Sequence, residues 1–241
     1  KSFVSTTLML LVEDGLISLD DPLNKFLPDY QNIDGNITVR QILSHTSGIN
    51  DFLNENAATN NAWANNLDHI WTIDEVLNNY VLEPNFAPGT SYSYSNTGFL
   101  LAGKLIEVIT GRNWYELVRE RIIDPLGLES TFAYPWESRG TKTLAHAFFD
   151  LDGNGTVEDA QGQGINLDGL FSLASSAGCL ISTPEDIATF NKKLFTGEIV
   201  NPTSLAAMQT DLTMGVGGLI YGLGVGSFPV GIENWGHNGS L

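Results

Sequence analysis

Phe86-Ala87-Pro88-Gly89-Thr90-Ser91-Tyr92-Ser93-Tyr94-Ser95-Asn96 is the stretch from which the rest of the chain can be oriented. It ends in Tyr94-Ser95-Asn96. A phenol held near an ammonium loses its proton more easily and can relay it between a nucleophile and a leaving group. An Asn side chain can donate to a substrate carbonyl and accept from a lysine. Taken alone, Tyr-x-Asn is a common triplet that also reads as a buried aromatic followed by a helix cap. After Asn96, the residues Leu101, Leu105, Val108 and Ile109 line one helical face, and Gly111 ends it. A second helix runs from roughly Trp114 to Ile123 and stops at Asp124-Pro125.

At the head of the chain, Ser2 to Glu13 reads as a buried helix with Asp14-Gly15 as its stop. Lys1 stands at its start. A Lys three residues after a Ser on one helix points its amine at that hydroxyl, and the helix N-terminus helps to lower the lysine's pKa. At the far end, residues 215–241 are rich in Gly and short apolar runs, which predicts two antiparallel strands joined by a turn near Pro229. His237-Asn238-Gly239 falls on the last of them, where Gly239 leaves room for a substrate beside the backbone.

Together these pieces resemble the serine β-lactamase and penicillin-binding protein superfamily, in particular its class C β-lactamase, DD-peptidase and esterase members. The family's three elements are Ser-x-x-Lys, Tyr-x-Asn (or Ser-x-Asn) and Lys/His-x-Gly. Lys1, Tyr94-Ser95-Asn96 and His237-Asn238-Gly239 match them in order, so the resemblance puts the nucleophilic Ser three residues before residue 1. On this reading the chain alone is inactive. Three further segments are similar to the family's scaffold: Leu43-Ser44-His45-Thr46-Ser47-Gly48, Pro125-Leu126-Gly127-Leu128-Glu129-Ser130-Thr131, and Ala177-Gly178-Cys179-Leu180-Ile181-Ser182-Thr183. His45 and Ser47, two apart, read as turn or capping residues and not as a catalytic pair.

The resemblance implies a serine hydrolase that cleaves ester or amide bonds through an acyl-enzyme, of DD-carboxypeptidase, D-amino-acid peptidase or carboxylesterase type. Lys1 and Tyr94 would share the acid/base work, and the backbone N–H of Ser240 would form half of the oxyanion hole. Asn96, His237 and Gly239 would bind and orient the substrate. Many relatives carry Lys where this chain has His237, and a His holds its charge only part of the time near neutrality. That departure favours a peptidase or esterase over a β-lactamase. The alternative is a non-catalytic relative that binds peptidoglycan or a partner. No cofactor and no metal are implied. The expected location is secreted or periplasmic, with any membrane attachment made through other parts of the protein.

Composition narrows the partners. A net charge of -17 with only 11 Lys and Arg excludes a nucleic-acid ligand, since no stretch could neutralise a run of phosphates. The acidity reads as a solubility feature. Leu8-Met9-Leu10-Leu11-Val12 is too short to span a bilayer, so the chain holds no membrane-spanning segment, and the expected partner is a small-molecule or peptide substrate. Nothing in the sequence sets an oligomeric state. Cys179, alone in an apolar run, reads as a packed thiol.

Thr38 with Gln41, Thr72 with Glu75, and Thr183 with Asp186 mark helix starts. The fold class is α/β (α+β), a mostly helical middle flanked by pieces of sheet. The resemblance makes it β-lactamase/transpeptidase-like, one domain over 1–241, with about 15–170 mainly helical and 1–14 and 171–241 in the sheet-containing lobe. One or two strands cannot cover that many helices, so the antiparallel sheet is expected to be incomplete in this chain and the segment alone aggregation-prone or partly folded. Asp150-Leu151-Asp152-Gly153-Asn154-Gly155-Thr156-Val157-Glu158 fits both the first half of a calcium loop and a hairpin turn.

Overall fold

Helix α1 (Ser2–Glu13) is buried from Ser2 to Leu11. Its apolar side chains Phe3, Val4, Leu8, Met9 and Leu11 enter the core, each contributing about 1.5–3 kcal/mol on burial. Its hydroxyls are satisfied inside: Ser5 Oγ donates to the Leu223 carbonyl at 2.6 Å and Ser2 Oγ to the Gly224 carbonyl at 3.2 Å. Gly15 takes φ +72 just past the helix end, the left-handed stop anticipated from Asp14-Gly15. The computed structural model describes residues 1–150, 155–210, 213–214, 220–227 and 234–239.

Helix α5 (Asn96–Thr110) is the central strut. It packs on α1, α2 (Val39–Leu43), α4 (Ile73–Asn79), α6 (Trp114–Val118) and the 3-10 turn Ser175–Ala177. Close approach is possible because Gly103 faces that turn; a Cβ there would lie 2.3 Å from Ser176 Oγ. Leu101 and Leu105 are fully buried, whereas Val108, expected on the same face, is 45 % exposed. It falls in the last turn of α5, where the helix surfaces among Lys104, Glu107 and Arg112. The helix predicted from Trp114 to Ile123 is α6 followed by a widened turn over Arg119–Ile123, closed by Asp124 N–H donating to the Arg119 carbonyl.

All three capping threonines accept a backbone N–H: Thr38 from Gln41, Thr72 from Glu75 and Thr183 from Asp186. Only Thr38 forms the reciprocal box, with Gln41 reaching back to its N–H. The Asp186 carboxylate is instead drawn away to Ser130 N–H and Thr131 Oγ, both at 2.8 Å. The other α-helices among the described residues are α3 (Ala57–Ala64), α7 (Asp168–Ala174), α8 (Pro184–Phe195) and α9 (Pro202–Thr210).

Among the described residues the strands form three antiparallel groups. β1 (Phe132–Ala133) pairs with β4 (Leu180–Ile181), and β2 (Phe148–Phe149) with β3 (Glu158–Asp159). A four-stranded sheet runs in the order β5 (Thr213–Met214), β6 (Ile220–Tyr221), β7 (Gly226–Ser227), β8 (Trp235–Gly236). The reading of two terminal strands therefore counted too few. The sequence of this region is Gly-rich with short continuous apolar runs, leaving no alternation to recognise. Pro229 lies outside the described residues.

The pairing of β2 with β3 makes the Asp150 segment a hairpin, and Asp150 Oδ2 accepts the Gly155 N–H at 2.9 Å. Asp152 and Asn154, needed for a calcium loop, lie outside the described residues. Among the described residues, no helix is long and apolar enough to cross a membrane.

Candidate active site

Lys1 occupies the N-cap of α1, and its Nζ is held by two acceptors distant in sequence. It donates to Asn96 Oδ1 at 2.7 Å and to the Ala177 carbonyl at 2.6 Å. The Ala177 carbonyl is aimed there by the tight turn after α7, in which Ser175 takes φ +42, ψ −132, a strained conformation for a residue with a Cβ. The ammonium also lies 5.0 Å from the Tyr94 ring centre and 5.5 Å from that of Phe99. Burial strips water from it and pulls its pKa from 10.5 down to about 7, against the opposing pull of the Asp51 carboxylate.

Asn96 begins α5, so its amide points out of the helix toward Lys1. Its Nδ2 donates to both carboxylate oxygens of Asp51, at 3.2 and 3.0 Å. Asp51 lies on the loop after α2 and is buried. Thr97 ties that loop to the first turn of α5: its Oγ donates to the Asn50 carbonyl at 2.6 Å and accepts the Phe52 N–H at 3.1 Å.

Tyr94 is positioned by His45. The His45 backbone sits at φ +58, its carbonyl accepts the Ser93 N–H and its Nδ1 accepts the Ser95 N–H at 3.1 Å. The imidazole packs 4.4 Å from the Tyr94 ring. With Nδ1 accepting, the proton resides on Nε2, and burial and then the Lys1 charge hold the ring neutral. Burial, and secondly the Asp51 charge, push the Tyr94 phenol above its ordinary range. The ammonium at 5.0 Å does not overcome this, contrary to the sequence expectation, so the resting site holds a protonated phenol. Ser47 Oγ only accepts the Ile49 N–H at 3.3 Å, which is the turn role expected of it.

His237 follows β8, one residue beyond the last strand pairing, so it is not on the strand itself. Its Nδ1 lies 2.5 Å from the Asn238 carbonyl, and its ring is 6.4 Å from that of Tyr94. Burial above all, helped by the charge of the Lys1 side chain, lowers its pKa to about 3. The part-time charge expected for it is thereby removed, and His237 is neutral at physiological pH. Gly239 is exposed, and a Cβ there would meet nothing within 4 Å. Ser240 lies outside the described residues.

Lys1, Tyr94 and Asn96 thus converge, with His237 across from the tyrosine ring. Sequence reasoning missed Asp51, the Ala177 carbonyl and the organising role of His45. Nothing local marks Asp51, while the unusual backbone of His45 followed by Gly48 is a trace that turn chemistry could have exposed. Cys179 is buried and its thiol is pushed up by desolvation, so it is a packing residue. Among the described residues no group of three or more His, Cys, Asp or Glu could hold a metal ion.

A lysine relieved of much of its charge, set between hydrogen-bond acceptors beside a tyrosine, on this arrangement of helices and antiparallel strands, defines a protein of the serine β-lactamase and penicillin-binding class. The chain belongs to the Beta-lactamase family, whose profile matches residues 1–239. It is similar to penicillin-binding protein 4* of Bacillus subtilis (strain 168), at 26% identity over 93% of this chain and 50% of that protein. Among solved structures it resembles a D-stereospecific amidohydrolase from Streptomyces sp., at 35% identity and a TM-score of 0.88 over 100% of this chain and 73% of that one. It also resembles the D-amino acid amidase of Ochrobactrum anthropi SV3, at 29% identity and a TM-score of 0.81 over 98% of this chain and 66% of that one. The fold is β-lactamase/transpeptidase-like. The chain spans half or less of the length of the curated relatives it matches.

Proposed function

We propose that the full-length protein is a serine hydrolase that opens amide or ester bonds of small D-amino-acid derivatives through an acyl-enzyme. The observation that carries this reading is Lys1: its Nζ is fixed at 2.7 and 2.6 Å by two acceptors, with its pKa brought to about 7. A lysine so tuned is half neutral at physiological pH and can take a proton from a hydroxyl.

In the reaction, the serine three residues before Lys1 attacks the substrate carbonyl as its proton passes to Lys1. The C–O bond forms and the carbonyl oxygen becomes an anion. The Ser240 N–H would donate to it, a contact of about 2.7–4 kcal/mol in comparable enzymes. Collapse breaks the bond to the leaving amine or alcohol, which takes a proton from the Tyr94 phenol as Lys1 returns its own to the tyrosine. Water then attacks the ester carbonyl as Lys1 takes its proton, and collapse breaks the C–O bond to the serine, whose oxygen regains the proton from Lys1 as the acid leaves. Asn96 steadies Lys1 throughout.

Two features support the substrate class. Neutral His237 supplies no fixed cation for a substrate carboxylate. Two similar structures are those of a D-stereospecific amidohydrolase and a D-amino acid amidase.

The test is to assay the full-length protein on D- and L-phenylalanine amide, a simple ester and a penicillin, and to peptide-map it by mass spectrometry after a slow acylating reagent. Hydrolysis of the D-amide with a label three residues before Lys1 is expected. Failure on every substrate without any label sinks the proposal and leaves a binding relative of the family.

A further inference from the structure

Asp51 is buried at 1 % exposure, and among the described residues no cation lies within salt-bridge distance of it. Such a carboxylate is unfavourable unless its lone pairs are filled. They are filled entirely by amides: the Leu53 N–H at 3.0 Å, the Asn54 side chain at 2.7 Å, and Asn96 Nδ2 on both oxygens. Burial also keeps it out of reach of a substrate, so any effect it has on the reaction must pass through a neighbour. That neighbour is Asn96.

An amide has a donor edge and an acceptor edge that differ little in shape. In Asn96 the donor edge meets Asp51 and the acceptor edge meets Lys1 Nζ. Flipped, it would set Nδ2 against the lysine ammonium and Oδ1 against the carboxylate, losing both hydrogen bonds and replacing them with repulsion. Without the carboxylate, only the Lys1 ammonium on the acceptor edge favours this orientation, and that preference is lost when the amine is neutral and can itself accept from Nδ2. We infer that Asp51 is a positioning residue, whose carboxylate locks the Asn96 amide in the orientation that presents Oδ1 to Lys1 and so holds the Lys1 amine against the Ala177 carbonyl.

Asp51 bears on Lys1 electrostatically as well. The other ionisable groups around Lys1 come from four different segments, and burial holds each of them neutral. Tyr94, ahead of α5, and Cys179, ahead of β4, are pushed up; His45, after α2, and His237, after β8, are pushed down. Asp51 is the one carboxylate acting on Lys1 among the described residues, and it favours the ammonium.

The catalytic consequence rests on the functional reading above, so the experiment separates the two. In the full-length protein, the reactivity of the Lys1 side chain is measured across pH by competitive acetylation with acetic anhydride, read by mass spectrometry. This needs no turnover. Asp51→Asn should shift the Lys1 midpoint down by about one pH unit. An unmoved midpoint in a folded Asp51→Asn protein overturns the inference.

Where turnover is present, Asp51→Asn should lower kcat about 10- to 100-fold with KM nearly unchanged. In an Asn96→Ala background the same change should lower kcat no further, and multiplying losses would overturn action through Asn96. The exchange Asp51→Asn with Asn96→Asp guards against a folding failure, because it preserves donor and acceptor while moving the carboxylate beside Lys1. It should keep the thermal midpoint and raise the labelling midpoint above that of the parent; a midpoint at or below the parent's overturns the inference. If the parent protein hydrolyses nothing, the functional reading fails, and the labelling alone decides the role of Asp51.

Discussion

Lys1 Nζ and the carbonyl oxygen of Ala177 stand 2.6 Å apart although 176 positions separate them in the chain. That pairing holds the amine in place, while burial, opposed by the Asp51 carboxylate, sets its protonation. The ammonium form cannot accept a proton, and burial brings the pKa to about 7. The predicted profile of kcat/KM against pH therefore rises through an apparent pKa near 7 and levels above it. A limb near 10, the range of an unperturbed lysine, would exclude Lys1 as the base. Lys1→Arg, which keeps the charge and cannot become neutral, should remove at least about 10²-fold of kcat, as expected for loss of a general base.

His237 is neutral because it is desolvated and lies near the Lys1 side chain. His237→Lys would add a fixed cation beside the substrate path. We expect the affinity for a penicillin, which carries a carboxylate, to increase about tenfold, and KM for a neutral amide to change little. Competition binding against a fluorescent penicillin measures it, and equal effects on both ligands would remove His237 from substrate recognition.

Gly48 carries the link between the His45 turn and the Tyr94 segment. Its carbonyl accepts the Asn85 N–H at 2.8 Å, its φ is +75, and a Cβ would lie 2.1 Å from the Phe86 carbonyl oxygen. Gly48→Ala meets both a disfavoured backbone and a backbone clash. It should cost about 2–4 kcal/mol in urea unfolding of the full-length protein. A loss below about 0.5 kcal/mol would mean that the two segments move independently.

Asp186 joins the start of α8 to the loop before β1. Its carboxylate accepts from Ser130 N–H and Thr131 Oγ, and Thr131 is 1 % exposed. Asp186→Ala leaves those donors short of a partner and should cost about 1–3 kcal/mol, while Thr183, which caps the same helix, is untouched. Thermal unfolding of the two single alanine variants tests this, with Asp186 expected to be at least as costly as Thr183.

What the sequence made legible is what local chemistry controls. Thr38, Thr72 and Thr183 cap as read because a cap needs only the next three residues, and Gly15 and Gly111 stop their helices because left-handed backbone favours glycine. Lys1, Tyr94 and Asn96 were legible through motif resemblance and not through spacing. Asp51 and His45 were not, because their partners lie 45 and 50 positions away and no periodicity encodes such contacts. Val108 was misread because a helical stripe says which residues share a face, not where the neighbouring elements cease to cover it. The state of His237 was misread because it depends on desolvation, which only packing reveals.

The site has no local scaffold of its own. Its members come from residue 1, the 45–51 loop, the 94–96 segment, the turn at 177 and the segment after β8. Closing loops of that size is slow and yields little until most of the chain has packed. In the unfolded protein Lys1 is an ordinary lysine with an ordinary basicity. Its altered reactivity therefore comes into being with the native state, and during refolding it serves as a built-in clock. Pulse acetylation of Lys1 at pH 8 should stay at the unfolded rate through early collapse and change only in the final phase, so the polypeptide carries no activated amine while it is still being made.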